Sequence, residues 1–67
     1  MYIIEWLDDL EILGSELSEA ATVSAAIAQA MVNSGEVAAR VGRQPNRFRI
    51  KDQGMRELAV VALPRPQ

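Results

Sequence analysis

A run of aromatic, β-branched and aliphatic residues opens the chain and is interrupted by two acids. Residues 2–7 are dominated by such side chains, and the turn-prone pair Asp8 and Asp9 follows them. This pattern predicts a β-strand over residues 2–7. Residues 10–13 can return as a short second strand before Gly14 or can form a loop, and the pattern leaves both interpretations open.

Apolar residues then recur at helical spacing over residues 18–34. The large members of this stripe are Val23, Ile27 and Met31. Ser15 and Ser18 are residue types that cap helix N-termini, and Gly35 suits the left-handed position that follows a helix. The pattern predicts one helix that begins near Ser18 and ends at Ser34.

The rest of the chain alternates between apolar and polar residues with a period of two. The alternation predicts strands over residues 36–43 and 47–51, and a continuous apolar run predicts a buried strand over residues 58–63. Turn-forming residues at 44–46 and 52–54 separate the three strands. The C-terminal half is therefore expected to form a three-stranded meander.

Together these elements predict an α+β fold in two layers, with one helix packed on a mainly antiparallel sheet. The order is a strand, an optional short strand, the helix and three strands, so that Arg40 and Val41 lie in an extended segment. Residues 1–63 are expected to form a single domain and residues 64–67 a frayed tail. The expected core consists of Ile3 or Ile4 with Trp6, Leu7, Val23, Ile27, Met31, Val37, Val41, Phe48, Ile50, Val60 and Val61.

Composition limits how so short a chain is stabilised. The chain has 67 residues, no Cys and no His, which excludes disulfides and a zinc site built on these residues. A domain of this size buries only roughly 60% of its unfolded surface, so oligomerisation is the remaining supporting device. The N-terminus has no basic segment typical of a secretory signal, and no run reaches the ~20 apolar residues of a membrane span. A cytoplasmic protein is expected.

Charge is divided between the two halves of the chain. Residues 1–36 hold seven acidic and no basic residues, whereas residues 37–67 hold seven basic and two acidic ones. The resulting net charges of −7 and +5 add to the −2 of the whole chain. Such a division is typical either of a basic surface for an acidic partner or of two halves that neutralise each other in the fold.

The basic residues support two interpretations. Residues 47–51 alternate so that one strand face carries three cations, a surface that can follow phosphate groups, and the preceding segment extends it. The candidate nucleic-acid contacts are Arg40, Arg43, Arg47, Arg49 and Lys51. Alternatively, these cations pair across the sheet with Glu5, Asp8, Glu11 and Glu36. The pairing is preferred, because acid-only and base-only halves must fold onto each other in so small a domain.

A second route to nucleic acid comes from residues 37–48. They place a small residue, Ala38, four positions before Gly42 and continue with Gln44 and Pro45. This spacing resembles the helix-turn-helix motif of bacterial transcription regulators, in which a small residue and a turn glycine precede the recognition helix. Val37, Val41 and Phe48 match its apolar positions. The resemblance implies that the residues facing DNA are Arg43, Asn46, Arg47 and Lys51. The period-two alternation of residues 47–51 favours a strand instead.

The predicted helix carries no charge on its outer face. No Asp, Glu, Lys or Arg occurs from Ala20 to Gly35, although a helix on the surface of a monomer normally carries charge there. Small and apolar residues on this face, which also includes Thr22 and Gln29, predict that a second copy covers it. The expected self-association residues are Ala21, Ala25, Ala28 and Val32.

Few residues of the chain are suited to catalysis or to cofactor binding. Without His or Cys, the serines and Thr22 have no imidazole to activate them, and Lys51 is the only lysine. Asp8, Asp9 and Glu11 lack the spaced ligands and the turn glycine of a calcium loop. The preferred function is a non-enzymatic protein-interaction module that needs no cofactor and forms a homodimer. Nucleic-acid binding by the basic half is the alternative.

Overall fold

Over residues 1–64, which the computed structural model describes, four strands and one helix follow one another along the chain. Their bounds are β1 Tyr2–Asp8, β2 Glu11–Ser18, α1 Val23–Val41, β3 Arg47–Lys51 and β4 Glu57–Ala62. The strands form one antiparallel sheet in the order β2-β1-β3-β4, and α1 packs on one of its faces. The predicted two-layer α+β fold is confirmed. Of the predicted tail, Pro64 is exposed and residues 65–67 lie outside the described part.

β1 and β2 form a hairpin that is longer than the pattern predicted. The strand over residues 2–7 is confirmed, and a second strand does follow, but it extends to Ser18. Gly14 does not end this strand. It lies opposite Trp6, where an added β-carbon would approach Val37 Cγ1 to 3.3 Å. A glycine at this point therefore lets the helix lie close to the sheet.

The helix begins later than predicted. Its N-cap is Thr22, whose side chain accepts a hydrogen bond of 3.1 Å from the Ala25 N–H. Ser15 and Ser18, the predicted caps, are residues of β2. The Ser18 hydroxyl instead donates a 2.7 Å hydrogen bond to Gln29 Oε1, which ties the end of β2 to α1.

The helix also ends later than predicted, because Gly35 does not stop it. A single glycine costs a helix about 1 kcal/mol, and the alanines that follow favour continuation. The helix ends at Gly42, which adopts the left-handed φ of 79°. The predicted strand over residues 36–43 is therefore wrong, and Arg40 and Val41 are helical rather than extended.

α1 buries mainly small residues against the sheet. Of the predicted stripe, Val23 and Ile27 are half-buried, with Ile27 packed against the core, and Met31 is exposed. Its buried side chains are Ala26, Ala30 and Val37. The Trp6 indole N–H donates a 3.3 Å hydrogen bond to the Ala30 carbonyl, and such a contact requires close approach of helix and sheet. The buried residues from the rest of the chain that complete this core are Ile4, Trp6, Phe48, Ile50 and Leu63.

Three residues of the predicted core are exposed. Met31, Val41 and Val60 are 44%, 37% and 49% exposed, respectively. Met31 lies outside the stripe of buried residues on α1, whereas Val41 lies one turn after Val37, at the C-terminal end of the helix. Val60 is exposed because it lies on the sheet face away from α1, opposite Arg49. Leu7 is buried on that same face.

The sheet face away from α1 has no covering layer among residues 1–64, and we call it the open face. Side chains alternate along a strand, so three successive rows of residues cross this face. The rows are Leu17, Ile3 and Lys51; then Ser15, Glu5, Arg49 and Val60; then Ile12, Leu7, Arg47 and Ala62.

The predicted strand over residues 47–51 is confirmed, but the C-terminal meander has two strands, not three.

Candidate interaction surfaces

The five candidate nucleic-acid contacts do not form one surface. Arg47, Arg49 and Lys51 lie on the open face, as their alternation predicted. Arg40 lies in the last turn of α1 and Arg43 follows the end of that helix. The segment that resembles a helix-turn-helix contains the end of one helix followed by β3, so the expected recognition helix is absent from residues 43–51.

A buried ion cluster occupies the middle of the open face. Glu5 lies directly opposite Arg49 and is 7% exposed. Its Oε1 accepts a 2.5 Å hydrogen bond from Arg49 Nε, and the ammonium group of Lys51 lies 3.1 Å away. Burial alone raises the pKa of the Glu5 carboxyl, but the hydrogen bonds and charges of Arg49 and Lys51 outweigh it and lower the pKa. Glu5 is therefore ionised and holds both cations.

A second cluster joins the β1–β2 turn to the segment after α1. The Arg43 guanidinium forms ion pairs of 2.7 Å with Asp8 Oδ2 and 2.5 Å with Glu11 Oε2. Hydrogen bonds to Asp8 and Glu11 raise the pKa of Arg43. Both acids come from the acidic half of the chain and the arginine from the basic half, so this contact fastens one half to the other.

The same turn is also held by Asn46 and Arg47. The side-chain amide of Asn46 accepts a 3.1 Å hydrogen bond from the Asp9 N–H through Oδ1. Its Nδ2 donates a 2.9 Å hydrogen bond to Asp9 Oδ1. Arg47 Nη2 donates to the Asp9 carbonyl at 2.8 Å. Asp9 has a φ of 53°, a left-handed conformation that Asp tolerates better than most residues. Sequence spacing carried no signal for this contact, because 37 residues separate Asp9 from Asn46.

All four acids proposed as internal partners of the cations have a basic neighbour, but only Glu5 pairs across the sheet as predicted. Glu5, Asp8 and Glu11 pair as described above, and Glu36 lies 4.0 Å from Arg40 one helical turn later. The last pair is exposed and contributes little to stability. Within residues 1–64, much of the positive charge of the basic half is thus paired with carboxylates from the acidic half of the same chain.

The outer face of α1 is exposed and uncharged over three turns. Ala25 and Ala28 are exposed, and Val32 is 81% exposed. Ala21 precedes the N-cap and is not part of the helix. Gln29, which was expected on this face, is half-buried and faces the hairpin instead. The structure thus groups three of the four self-association candidates on one surface.

Glu16 is the hydrogen-bond partner of polar side chains on the inner side of α1. The sequence analysis did not identify Glu16 as a contact residue. It lies on β2 beneath the helix, and its Oε1 accepts a 2.8 Å hydrogen bond from Asn33 Nδ2. Gln29 Nε2 lies 3.5 Å from the same oxygen. An acid on the helix-facing side of β2, opposite an uncharged helix that contains amides, is the signal that could have indicated this contact.

Two further features were not predicted, and both follow from the sheet order. The open face exposes the apolar side chains Ile12, Leu17 and Val60, which are 48%, 63% and 49% exposed. β4, predicted as a well-buried strand, lies at one edge of the sheet, and β2 lies at the other. Edge position cannot be read from alternation, because it depends on which strands become neighbours.

Residues 1–64 form no pocket and no group of three or more acidic side chains placed to hold a metal ion. Within the same residues, no helix has the length and hydropathy needed to cross a membrane. No family model, curated protein or solved structure matches this chain.

Proposed function

We propose that this protein is a non-enzymatic protein-interaction module that forms a homodimer through the outer face of α1. The observation that carries the proposal is the exposed, uncharged surface made by Ala25, Ala28 and Val32. A surface helix of a monomer usually has a charged outer face, whereas a helix without one is usually covered. The absence of cysteine is compatible with the reducing cytoplasm, where we place the module.

A second copy is the partner that best suits this face. Alanine side chains let two helix backbones approach closely, and a two-fold axis would place no like charges in contact because residues 23–35 contain none. Burial of apolar surface contributes about 25 cal/mol per Å², but association costs several kcal/mol first. With small side chains on the face, dissociation constants between micromolar and millimolar are expected.

The paired cations count against the alternative, nucleic-acid binding. Arg43, Arg49 and Lys51 are held by carboxylates, and an incoming phosphate would have to displace those contacts. The open face also lacks aromatic side chains for base stacking, since Phe48 and Trp6 belong to the core under α1. Binding that falls steeply with salt concentration would favour the alternative.

Ala25→Glu tests the dimer without weakening the helix. Ala25 is the third helical residue after the N-cap Thr22, where a glutamate completes a capping box and interacts favourably with the helix dipole. Loss of association can therefore not be attributed to unfolding. Sedimentation equilibrium from micromolar to millimolar concentration should show a dimer for the wild type and weakened association for the variant.

Gln53→Glu serves as the matched control, because it adds the same charge at an exposed turn between β3 and β4. It should associate like the wild type. A wild type that is monomeric at millimolar concentration would contradict the proposal, as would an Ala25→Glu variant that associates as well as the control.

A further inference from the structure

The outer edge of β4 is unpaired among residues 1–64 and lacks the usual protection of an edge strand. Natural edge strands are protected by lysines, prolines, inward charges or a covering segment. From Leu58 to Ala62, β4 has no charged residue and no proline, and Leu58 and Val60 are 40% and 49% exposed. The register shift between Ile50 and Lys51 leaves Leu58 without a partner on β3, so the regularly paired part of the strand runs from Ala59 to Ala62.

The register shows which backbone groups of β4 point away from the sheet. The Leu63 N–H donates to the Asn46 carbonyl at 2.9 Å, in line with the pairing of β3 and β4. In an antiparallel ladder, hydrogen-bonded pairs alternate with pairs that do not bond to each other. Val61 and Ala59 therefore bond to β3. Val60 and Ala62 direct their N–H and C=O groups outward, where an extended chain could bond to them.

The opposite edge is less suited to pairing. β2 carries Glu11 and Glu16, and its pairing with β1 is interrupted by an irregularity between Trp6 and Leu7. Both edge strands contain one such irregularity, but β2 carries two carboxylates where β4 carries one, and carboxylates that meet on two identical strands repel each other. Of the two edges, β4 is the one with an uninterrupted neutral segment, which runs from Leu58 to Leu63 after Glu57 at the start of the strand.

We propose that β4 pairs antiparallel with β4 of a second copy across a two-fold axis at Val60, which joins the two sheets into one of eight strands. This register places Val60 opposite its own copy and Leu58 opposite Ala62. Glu57 then lies opposite Leu63, so no like charges meet. Pro64 has no N–H to donate, which limits the paired segment at its C-terminal end. The segment from Leu58 to Leu63 is neutral and can face its own copy without repulsion, which favours a second copy over an unrelated peptide.

This surface is distinct from the outer face of α1 and does not depend on it. If both surfaces associate, each chain has two isologous interfaces, which build a tetramer with D2 symmetry or an open assembly. Pairing of one short strand buries less area than the 1,200–2,000 Å² that is typical of stable interfaces, so the contact is expected only at high protein concentration.

Val60→Pro tests the strand pairing, and Val60→Thr is its matched control. Proline removes the outward N–H of Val60 while leaving the bonds of Val61 and Ala59 to β3 in place, which edge strands tolerate. Threonine keeps the N–H and the β-branched shape. Sedimentation should show at least tenfold weaker association for Val60→Pro than for Val60→Thr. Combination with Ala25→Glu should give a monomer.

Amide exchange supplies a readout that does not require a variant. The Val60 and Ala62 amides should exchange more slowly as the wild-type concentration rises, whereas the Val61 amide, bonded to β3, should change less. If Val60→Pro does not fold by circular dichroism, Val60→Lys replaces it, since two opposed lysines should also prevent pairing.

The two proposals fail in different ways. Equal association of the Val60 variants, together with Val60 exchange that is independent of concentration, overturns the β4 pairing whatever Ala25→Glu does. An effect of Val60→Pro without any effect of Ala25→Glu would place self-association on β4 alone.

Discussion

Replacement of Glu5 by glutamine tests whether the ion cluster on the open face stabilises the fold. Glu5→Gln keeps the shape of the side chain but removes the charge that holds Arg49 and Lys51. The side chains of the three residues are 9%, 26% and 14% exposed, so water compensates the two cations only in part. The variant therefore leaves two partly buried positive charges next to each other on β3.

The size of the effect follows from this burial. Breaking a fully buried pair costs about 3–5 kcal/mol and an exposed pair contributes about 0–1 kcal/mol, so a loss of about 2–3 kcal/mol is expected. At about 0.05–0.15 kcal/mol per residue, a 67-residue domain has a total stability of roughly 3–10 kcal/mol. The melting temperature should fall by roughly 8–24 °C, since 1 kcal/mol shifts so small a domain by about 4–8 °C.

Urea denaturation followed by the fluorescence of Trp6 measures the effect directly. Trp6 is the single tryptophan of the chain and is 1% exposed, so its emission reports loss of the core. Glu19→Gln removes the same charge from an exposed loop position and should change the free energy of unfolding by less than about 0.5 kcal/mol.

The pH dependence provides a second check with a definite sign. The pKa of Glu5 is below its ordinary value of 4.5, so its ionised form stabilises the folded state above about pH 4.5. This contribution is lost as the pH falls through the lowered pKa, and the difference between wild type and Glu5→Gln should shrink over that range. A variant within about 0.5 kcal/mol of the wild type at pH 7, or a difference that stays constant into acid, would refute the reasoning.

Three further predictions concern the middle and the two ends of α1. Gly35→Ala should raise the free energy of unfolding by about 0.5–1 kcal/mol, because Gly35 is inside the helix and an added β-carbon would meet no atom within 4 Å beyond its chain neighbours and the helix backbone. Gly42→Ala, at a φ of 79°, should lower it, and equal effects at the two glycines in thermal denaturation would contradict the helix bounds. Thr22→Ala should lower it by about 1 kcal/mol through loss of the bond to the Ala25 N–H, whereas Thr22→Ser should retain most of it.

The strands and the fold class could be predicted where a local pattern had one interpretation. The run of aromatic, β-branched and aliphatic residues at 2–7 and the alternation of residues 47–51 both formed strands, and in each strand alternate side chains face the core. Residues 36–43 alternated as well, yet residues 36–41 are helical. Over a segment this short, alternation and helical spacing overlap, and the deciding contact was the burial of Val37 against the sheet beside Gly14.

The candidate surfaces could be predicted only in part. The uncharged helix indicated an exposed face at Ala25, Ala28 and Val32, and the division of charge indicated internal pairing. The face of α1 that turns toward the sheet could not be predicted, because a stripe of large residues normally faces the core. Here Ala26 and Ala30 do so, because their small size lets Trp6 reach the helix backbone.

The sequence by itself determined that acidic and basic halves must meet, that one helix lacks charge over much of its length, and that the strands have two different faces. These are properties of composition and period, which act locally along the chain. Only the tertiary structure decided that Arg43 meets Asp8, that Asn46 holds Asp9, and that β4 lies at an edge. Such contacts join residues far apart in the chain, and they exist because the sheet order brings those residues together.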